Sequence, residues 1–191
     1  MKILLLDNYD SFTYNLVDYL EQNQGVSVTV IRNDELNLDQ LADFDRLVIS
    51  PGPGLPEESG MLMEVIEKAH QSMPIFGVCL GLQALGMFFG AQLENLDQVI
   101  HGESLPMEIL DHEDPLYKSI PSPCWVGHYH SWALASHTIP DDLIVTGRSE
   151  SGVVMSFRHR ELPIWAVQFH PESVLTPHGL QMIKNWIEGT S

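Results

Sequence analysis

Apolar residues fall into two kinds of run along this chain. In the first half, near-continuous apolar stretches at Ile3–Leu6, Leu47–Ser50 and Ile75–Val78 and the β-branched run Val26–Ile31 alternate with segments whose apolar positions recur at helical spacing. Short near-continuous runs fit strands buried on both faces, and i, i+3, i+4 spacing fits helices with one apolar face. The helical segments are Ser11–Leu20, with Phe12, Leu16, Val17 and Leu20; Glu57–His70, with Met61, Val65, Ile66 and Ala69; and Leu80–Phe89, with Leu85, Phe88 and Phe89. Strands alternating with helices predict an α/β fold, a mainly parallel open sheet flanked by helices on both faces. The second half predicts strands joined by short polar turns: Leu93–His101, Met107–Leu110, Trp125–His130, Leu143–Arg148, Val153–His159 and Ile164–Phe169. They extend the sheet with antiparallel strands. A final helix is expected at His178–Glu188, burying Met182, Ile183, Trp186 and Ile187. No repeat, linker or low-complexity segment interrupts residues 1–191, so a single domain is expected.

Open α/β sheets place their sites outside the carboxyl ends of the strands. Asp7, Pro51–Gly54, Cys79 and His170 each follow an apolar strand, which points to one shared crevice. Cys79 sits between Gly77 and Gly81 where a strand turns into a helix, the nucleophile-elbow arrangement with cysteine in place of serine. The glycines keep side chains away from the crowded turn, and the helix N-terminus favours a thiolate. Alone, Gly-x-Cys-x-Gly equally fits a buried structural thiol. A cysteine nucleophile also needs a proton shuttle, a group orienting that shuttle, and an oxyanion site. His170 ends a strand and is followed by Pro171-Glu172. On an extended backbone, which Pro171 favours, His170 and Glu172 point the same way, so Glu172 can orient the imidazole. The rigid loop Pro51-Gly52-Pro53-Gly54 lacks any phosphate-loop pattern. It is a candidate oxyanion-hole donor beside the N–H of Leu80, and a stiff turn otherwise.

Other features add less. His128 and His130 have strand spacing, but no third metal ligand is evident. His70, His101, His112, His137, His159 and His178 have no partner pattern and read as surface or hydrogen-bonded residues. Asp7–Ser11 reads as a helix entry capped by Asp10 or Ser11, with a binding role left open. The net charge of −17, from 26 acidic and 9 basic side chains, argues against nucleic-acid and anionic-membrane partners. It suits a soluble protein or one that docks on a basic surface. Cys79 and Cys124 have neither zinc-type nor Cys-x-x-Cys spacing, so a reducing compartment is expected. The apolar start stops at Asp7, too short for a signal segment, and no run approaches the roughly 18 apolar residues of a membrane span. The expected location is cytoplasmic.

Gly77-Val78-Cys79-Leu80-Gly81-Leu82-Gln83 together with Gln168-Phe169-His170-Pro171-Glu172 resembles the class I, triad-type glutamine amidotransferases. Three more stretches narrow this: Leu5-Leu6-Asp7-Asn8-Tyr9-Asp10-Ser11-Phe12-Thr13-Tyr14-Asn15-Leu16, Ser50-Pro51-Gly52-Pro53-Gly54 and Tyr129-His130-Ser131. They resemble the small amidotransferase subunit (component II) of anthranilate synthase and aminodeoxychorismate synthase. The likeness runs from residue 3 to about 175 and implies a flavodoxin-like fold. It implies hydrolysis of L-glutamine to glutamate and ammonia without a cofactor or metal in this chain. Cys79 would form a γ-glutamyl thioester, His170 would be the general acid/base, and Glu172 its orienter. Gly52, Gly54 and the Leu80 N–H would surround substrate and oxyanion, with Gln83, Ser131 and Trp132 on the backbone groups of glutamine. Ammonia would pass to a chorismate-using synthase subunit (component I), where magnesium and chorismate bind. Three positions depart from the usual pattern: Leu82 replaces a His, His128 an Arg before Tyr-His-Ser, and Glu103 a Lys. The last two remove positive charge near the substrate or the partner surface. Another γ-glutamyl cysteine hydrolase on the same fold and a non-catalytic binding module are the competing readings.

Overall fold

The computed structural model describes residues 1–189, of which 97–100 through their backbone alone. One nine-stranded sheet runs through it. Its strands are β1 Lys2–Asp7, β2 Ser27–Arg32, β3 Arg46–Ile49, β4 Ile75–Val78, β5 Leu93–Ile109, β6 Cys124–Leu134, β7 Leu143–Ser149, β8 Val154–His159 and β9 Ile164–Val167. They lie in the order β2-β1-β3-β4-β9-β8-β7-β5-β6. The first five are mutually parallel and the rest continue antiparallel. The helices are α1 Thr13–Glu21, α2 Leu62–Ala69, α3 Leu80–Phe88 and α4 Gly179–Gly189.

Strand alternation sorts the core into two layers. Leu4 and Leu6 of β1 join Leu62, Val65 and Ile66 of α2 and Leu82 and Leu85 of α3 on one face. Ile3 and Leu5 join Leu16 and Leu20 of α1 and Met182, Ile183 and Trp186 of α4 on the other. The α/β sheet covered on both faces is as the apolar pattern predicts.

Three elements differ in kind from expectation. The helix expected over Glu57–His70 is a single 3-10 turn at Pro56–Glu58 followed by a separate α2. Gly60 takes φ +56° between them, and the Met61 N–H is given to the Asn33 carbonyl. Apolar spacing cannot register that break, because the four apolar positions that signal the helix, Met61, Val65, Ile66 and Ala69, all lie beyond it. The strands expected at Leu93–His101 and Met107–Leu110 are one continuous strand, β5. Two register shifts against β6 and a left-handed Gly102 (φ +73°) absorb the irregularity that reads as a turn. Finally, α1 begins after Phe12 with no side-chain cap. Asp10 instead closes a local turn by accepting from the Phe12 N–H at 2.7 Å.

In the sheet β1, β3, β4 and β9 are consecutive and parallel, so their carboxyl ends stand side by side. The four strand-end features of the sequence therefore meet on one edge. Among the described residues no helix is long and apolar enough to cross a membrane.

Candidate active site

Cys79 connects β4 to α3 with φ +52° and ψ −100°, a backbone conformation that costs a non-glycine residue about 1–3 kcal/mol. Close packing enforces it. A β-carbon on Gly77 would lie 2.7 Å from the Gly81 carbonyl carbon, and one on Gly81 2.9 Å from the Ile49 carbonyl oxygen. Only glycines let β3, β4 and α3 approach this closely. The Cys79 N–H donates to the Val167 carbonyl at 2.7 Å, which ties the turn to β9. Leu80 is the first residue of α3, so its N–H has no partner within the helix.

His170 lies beyond β9, where Glu172 Oε1 is 2.7 Å from its Nδ1. Both side chains are buried. The pairing expected from the sequence is present, but a turn rather than an extended backbone makes it, since the Ser173 N–H donates back to the His170 carbonyl. The second ring nitrogen, Nε2, is buried without a bond of ordinary geometry, and the imidazole interacts with the Cys79 sulfur. Burial pulls the His170 pKa down, but the interactions with Cys79 and Glu172 outweigh it and raise it to about 10. The imidazole is thus held as a cation against a sulfur and a carboxylate. Tyr129 packs edge-on against the ring at 4.8 Å and Phe12 at 6.4 Å.

The His170 backbone is clamped to β6. Its N–H donates to the Gly127 carbonyl at 3.1 Å, and the Thr176 hydroxyl donates to the His170 carbonyl at 2.7 Å. The Gly127 N–H donates to that same hydroxyl at 2.9 Å. Tyr129 is anchored in turn by its hydroxyl, 3.0 Å from Ser173 Oγ.

A cavity of about 370 Å³ opens onto Cys79, lined by Gly52, Pro53, Gly54, Leu55, Gln83, His130, Ser131 and Trp132. That is ample for an amino-acid-sized ligand. Five of the six expected substrate-side residues line it: Gly52, Gly54, Gln83, Ser131 and Trp132. The sixth, Leu80, offers its backbone at the helix start. Ser131 and Trp132 belong to β6, which runs further than the expected Trp125–His130. Asn8 sets the Gly52 loop, its Nδ2 donating to the Ser50 carbonyl at 2.9 Å and its N–H to Ser50 Oγ at 2.9 Å. A β-carbon on Gly52 would fall 2.5 Å from the Asn8 side chain. The polar Asp7–Ser11 segment therefore acts partly as a clasp. The sequence assigns no role to Asn8 or Gln168 individually, although both fall inside its motifs, and it misses Thr176, whose only signal is a small polar residue in a turning stretch.

His128 and His130 stack 5.5 Å apart and line a second cavity of about 180 Å³ with Leu105, Pro106, Ser149 and Val153. Among the described residues no three His, Cys, Asp or Glu side chains cluster to hold a metal ion. Burial pushes both imidazoles down to about 4, and neighbouring histidines add to the effect. Between pH 6.5 and 4 the unfolded chain therefore binds protons that the folded chain refuses, so stability present above pH 6.5 is lost as pH falls through that window. His170 has the opposite sign, its contribution being complete below pH 6.5 and lost as pH rises towards 10. Urea unfolding at stepped pH is expected to show the acid-side loss, and His128→Leu is expected to make it shallower. An unchanged slope in that variant would contradict the assignment.

The model of the class-I glutamine amidotransferase family matches residues 4–189. The aminodeoxychorismate/anthranilate synthase component 2 of Bacillus subtilis is 40% identical over 189 residues, covering 97% of this chain and 95% of that one. Anthranilate synthase component 2 of Pseudomonas putida is 41% identical over 198 residues, covering 100% and 98%. The crystal structure of a Thermoplasma acidophilum protein, described as one of the subunits of GMP synthase, superposes with a TM-score of 0.87 at 28% identity, covering 98% and 92%. A glutamine amidotransferase from Thermotoga maritima, at 18% identity and a TM-score of 0.76 over 99% and 81%, shares the fold.

Proposed function

The chain belongs to the class-I glutamine amidotransferase family, and from that membership we propose that it releases ammonia from L-glutamine for a chorismate-using synthase subunit. The observation that carries the chemistry is the strained, strand-end Cys79 interacting with a buried imidazole whose Nδ1 is 2.7 Å from Glu172. In this reading the Cys79 sulfur attacks the side-chain amide carbon of glutamine, and the oxyanion forms against the Leu80 N–H and the Gly52–Gly54 loop. His170, held protonated by Glu172, gives its proton to the leaving nitrogen as the C–N bond breaks, and ammonia departs. The γ-glutamyl thioester remains on Cys79. His170, now neutral, takes a proton from water as that water attacks the thioester. The C–S bond breaks, glutamate leaves with its carboxyl ionising to solvent, and the sulfur–imidazolium pair is restored. Gln83, Ser131 and Trp132 hold the amino-acid end of glutamine in the cavity. No step calls on a metal or cofactor of this chain.

The synthase partner is supported by relatives at about 40% identity and near-complete mutual coverage that carry the component 2 name. We read residues 1–191 as one amidotransferase unit that acts in the cytoplasm. Mixing the purified chain with a chorismate-using component I is expected to make anthranilate or aminodeoxychorismate formation glutamine-dependent, where the synthase alone would need free ammonia. Turnover of γ-glutamyl peptides with no gain from any synthase subunit would favour an independent hydrolase instead.

A further inference from the structure

The Cys79 sulfur has a second side-chain neighbour besides His170. Gln168 is fully buried just past β9, and its side-chain Nε2 is 3.5 Å from Sγ. Its Oε1 accepts from Gln83 Nε2 at 3.3 Å, and the same Gln83 nitrogen donates to the Trp132 backbone carbonyl at 2.9 Å. This chain of bonds has a fixed direction. A backbone carbonyl only accepts, so the end of Gln83 facing Trp132 must be its NH₂. That shared NH₂ must then find an acceptor on Gln168, which turns the Gln168 NH₂ towards the sulfur. Rotating either amide would set donor against donor or acceptor against acceptor in a buried site. Cys79 is therefore always met by a donor on this side. The Gln168 backbone is fixed as well, its N–H donating to the Met155 carbonyl at 2.8 Å.

At a residue only 7% exposed, the Cys79 sulfur has little water to solvate negative charge. Charge on it arises twice in the proposed cycle, before attack and again when the thioester breaks. We propose that Gln168 is a catalytic residue whose side-chain amide holds the Cys79 sulfur as an anion, with its donor polarity imposed from the substrate cavity by Trp132 through Gln83. This rests on Cys79 being the nucleophile. It adds a donor that complements the imidazole: His170 must surrender its proton during turnover, whereas an amide keeps its hydrogens and stabilises the sulfur at both stages.

Carbamoylmethylation of Cys79 by iodoacetamide at neutral pH, followed on the Cys79 peptide by mass spectrometry, reads the sulfur without requiring glutamine turnover. Gln168→Met keeps length and burial but removes the donor. It is expected to slow alkylation about tenfold, the loss typical of a hydrogen bond to a charged group, and to lower kcat in proportion with KM little changed. Gln168→Glu keeps the shape but turns an acceptor towards the sulfur, and it is expected to be slower still. A packing role would instead make the glutamate variant the milder of the two. Should Gln168→Met fail to fold, Gln83→Leu carries the test, because it frees the Gln168 amide to rotate and is expected to slow alkylation too. Wild-type alkylation in the folded variants would overturn the proposal while leaving Cys79 as nucleophile. Retained glutaminase activity in Cys79→Ser would instead remove the reading beneath it.

Discussion

Cys79→Ser is expected to cut glutamine hydrolysis by roughly 10⁴-fold or more while leaving the fold in place, the scale seen when a triad nucleophile is removed. The substitution changes one atom at a position set by backbone packing: Gly77 against Gly81, and Gly81 against Ile49. Serine therefore inherits the same turn, and the thermal unfolding midpoint is expected to move little. The loss comes from chemistry. A thiol gives up its proton to an imidazole readily near neutral pH, whereas a hydroxyl does not, and nothing in this site has been arranged around an alkoxide. The sulfur itself favours the cationic form of His170, as Glu172 does. The check is ammonia release measured with glutamate formation, alongside a search for the γ-glutamyl adduct by intact mass in rapidly quenched wild-type enzyme. Serine-variant turnover near the wild-type rate would sink the mechanism.

The parts of this site legible in the sequence share one property: each is marked by local pattern. The elbow announces itself through two glycines around Cys79, and the strand ends are marked by apolar runs that stop at polar residues. Parallel buried strands read clearly because they are apolar throughout, so β1, β3, β4 and β9 and the crevice at their ends follow from pattern alone. What stays hidden depends on contacts between distant segments. Asn8 reaches Ser50, Gln83 reaches Trp132 and Gln168, and Thr176 reaches Gly127. In the sequence these are ordinary polar residues, and nothing local distinguishes a buried clasp from a solvated turn. The single strand β5 is hidden for a related reason: Gly102 and Pro106 are turn signals, and only pairing with β6 along most of its length overrides them. His170 and Glu172 are paired by the sequence through the wrong backbone, because the i, i+2 rule of strands and the tight turn actually present bring the same two side chains together.

Gly179→Ala is expected to be the most damaging small substitution outside the cavity. Gly179 opens α4, and a β-carbon there would sit inside the Pro171 carbonyl oxygen and only 2.6 Å from its carbonyl carbon. Pro171 is the residue between His170 and Glu172. Relief requires one of two movements, both opposed. Moving α4 outward drags Met182, Ile183 and Trp186 from the core they share with Phe76 and Val78. Moving Pro171 strains the clamp that binds His170 to Gly127 and Thr176, with bonds of 3.1 and 2.7 Å. Overpacking of this kind costs about 1–3 kcal/mol or more. Displacing a catalytic imidazole by about 1 Å costs on the order of 10²-fold in rate. The expected signature is a lowered melting temperature together with a kcat reduced about 100-fold. KM is expected to stay close to wild type, because the atoms nearest a β-carbon on Gly179 belong to Pro171 and not to the cavity lining. Gly90→Ala provides the contrast. Gly90 has φ +107°, and a β-carbon there would have nothing within 4 Å, so alanine is strained in its backbone alone. Stability is expected to fall while kcat holds. If Gly179→Ala behaved like Gly90→Ala, the close approach of α4 to the His170–Glu172 turn would not be what fixes the imidazole, and the clamp from β6 would have to suffice by itself.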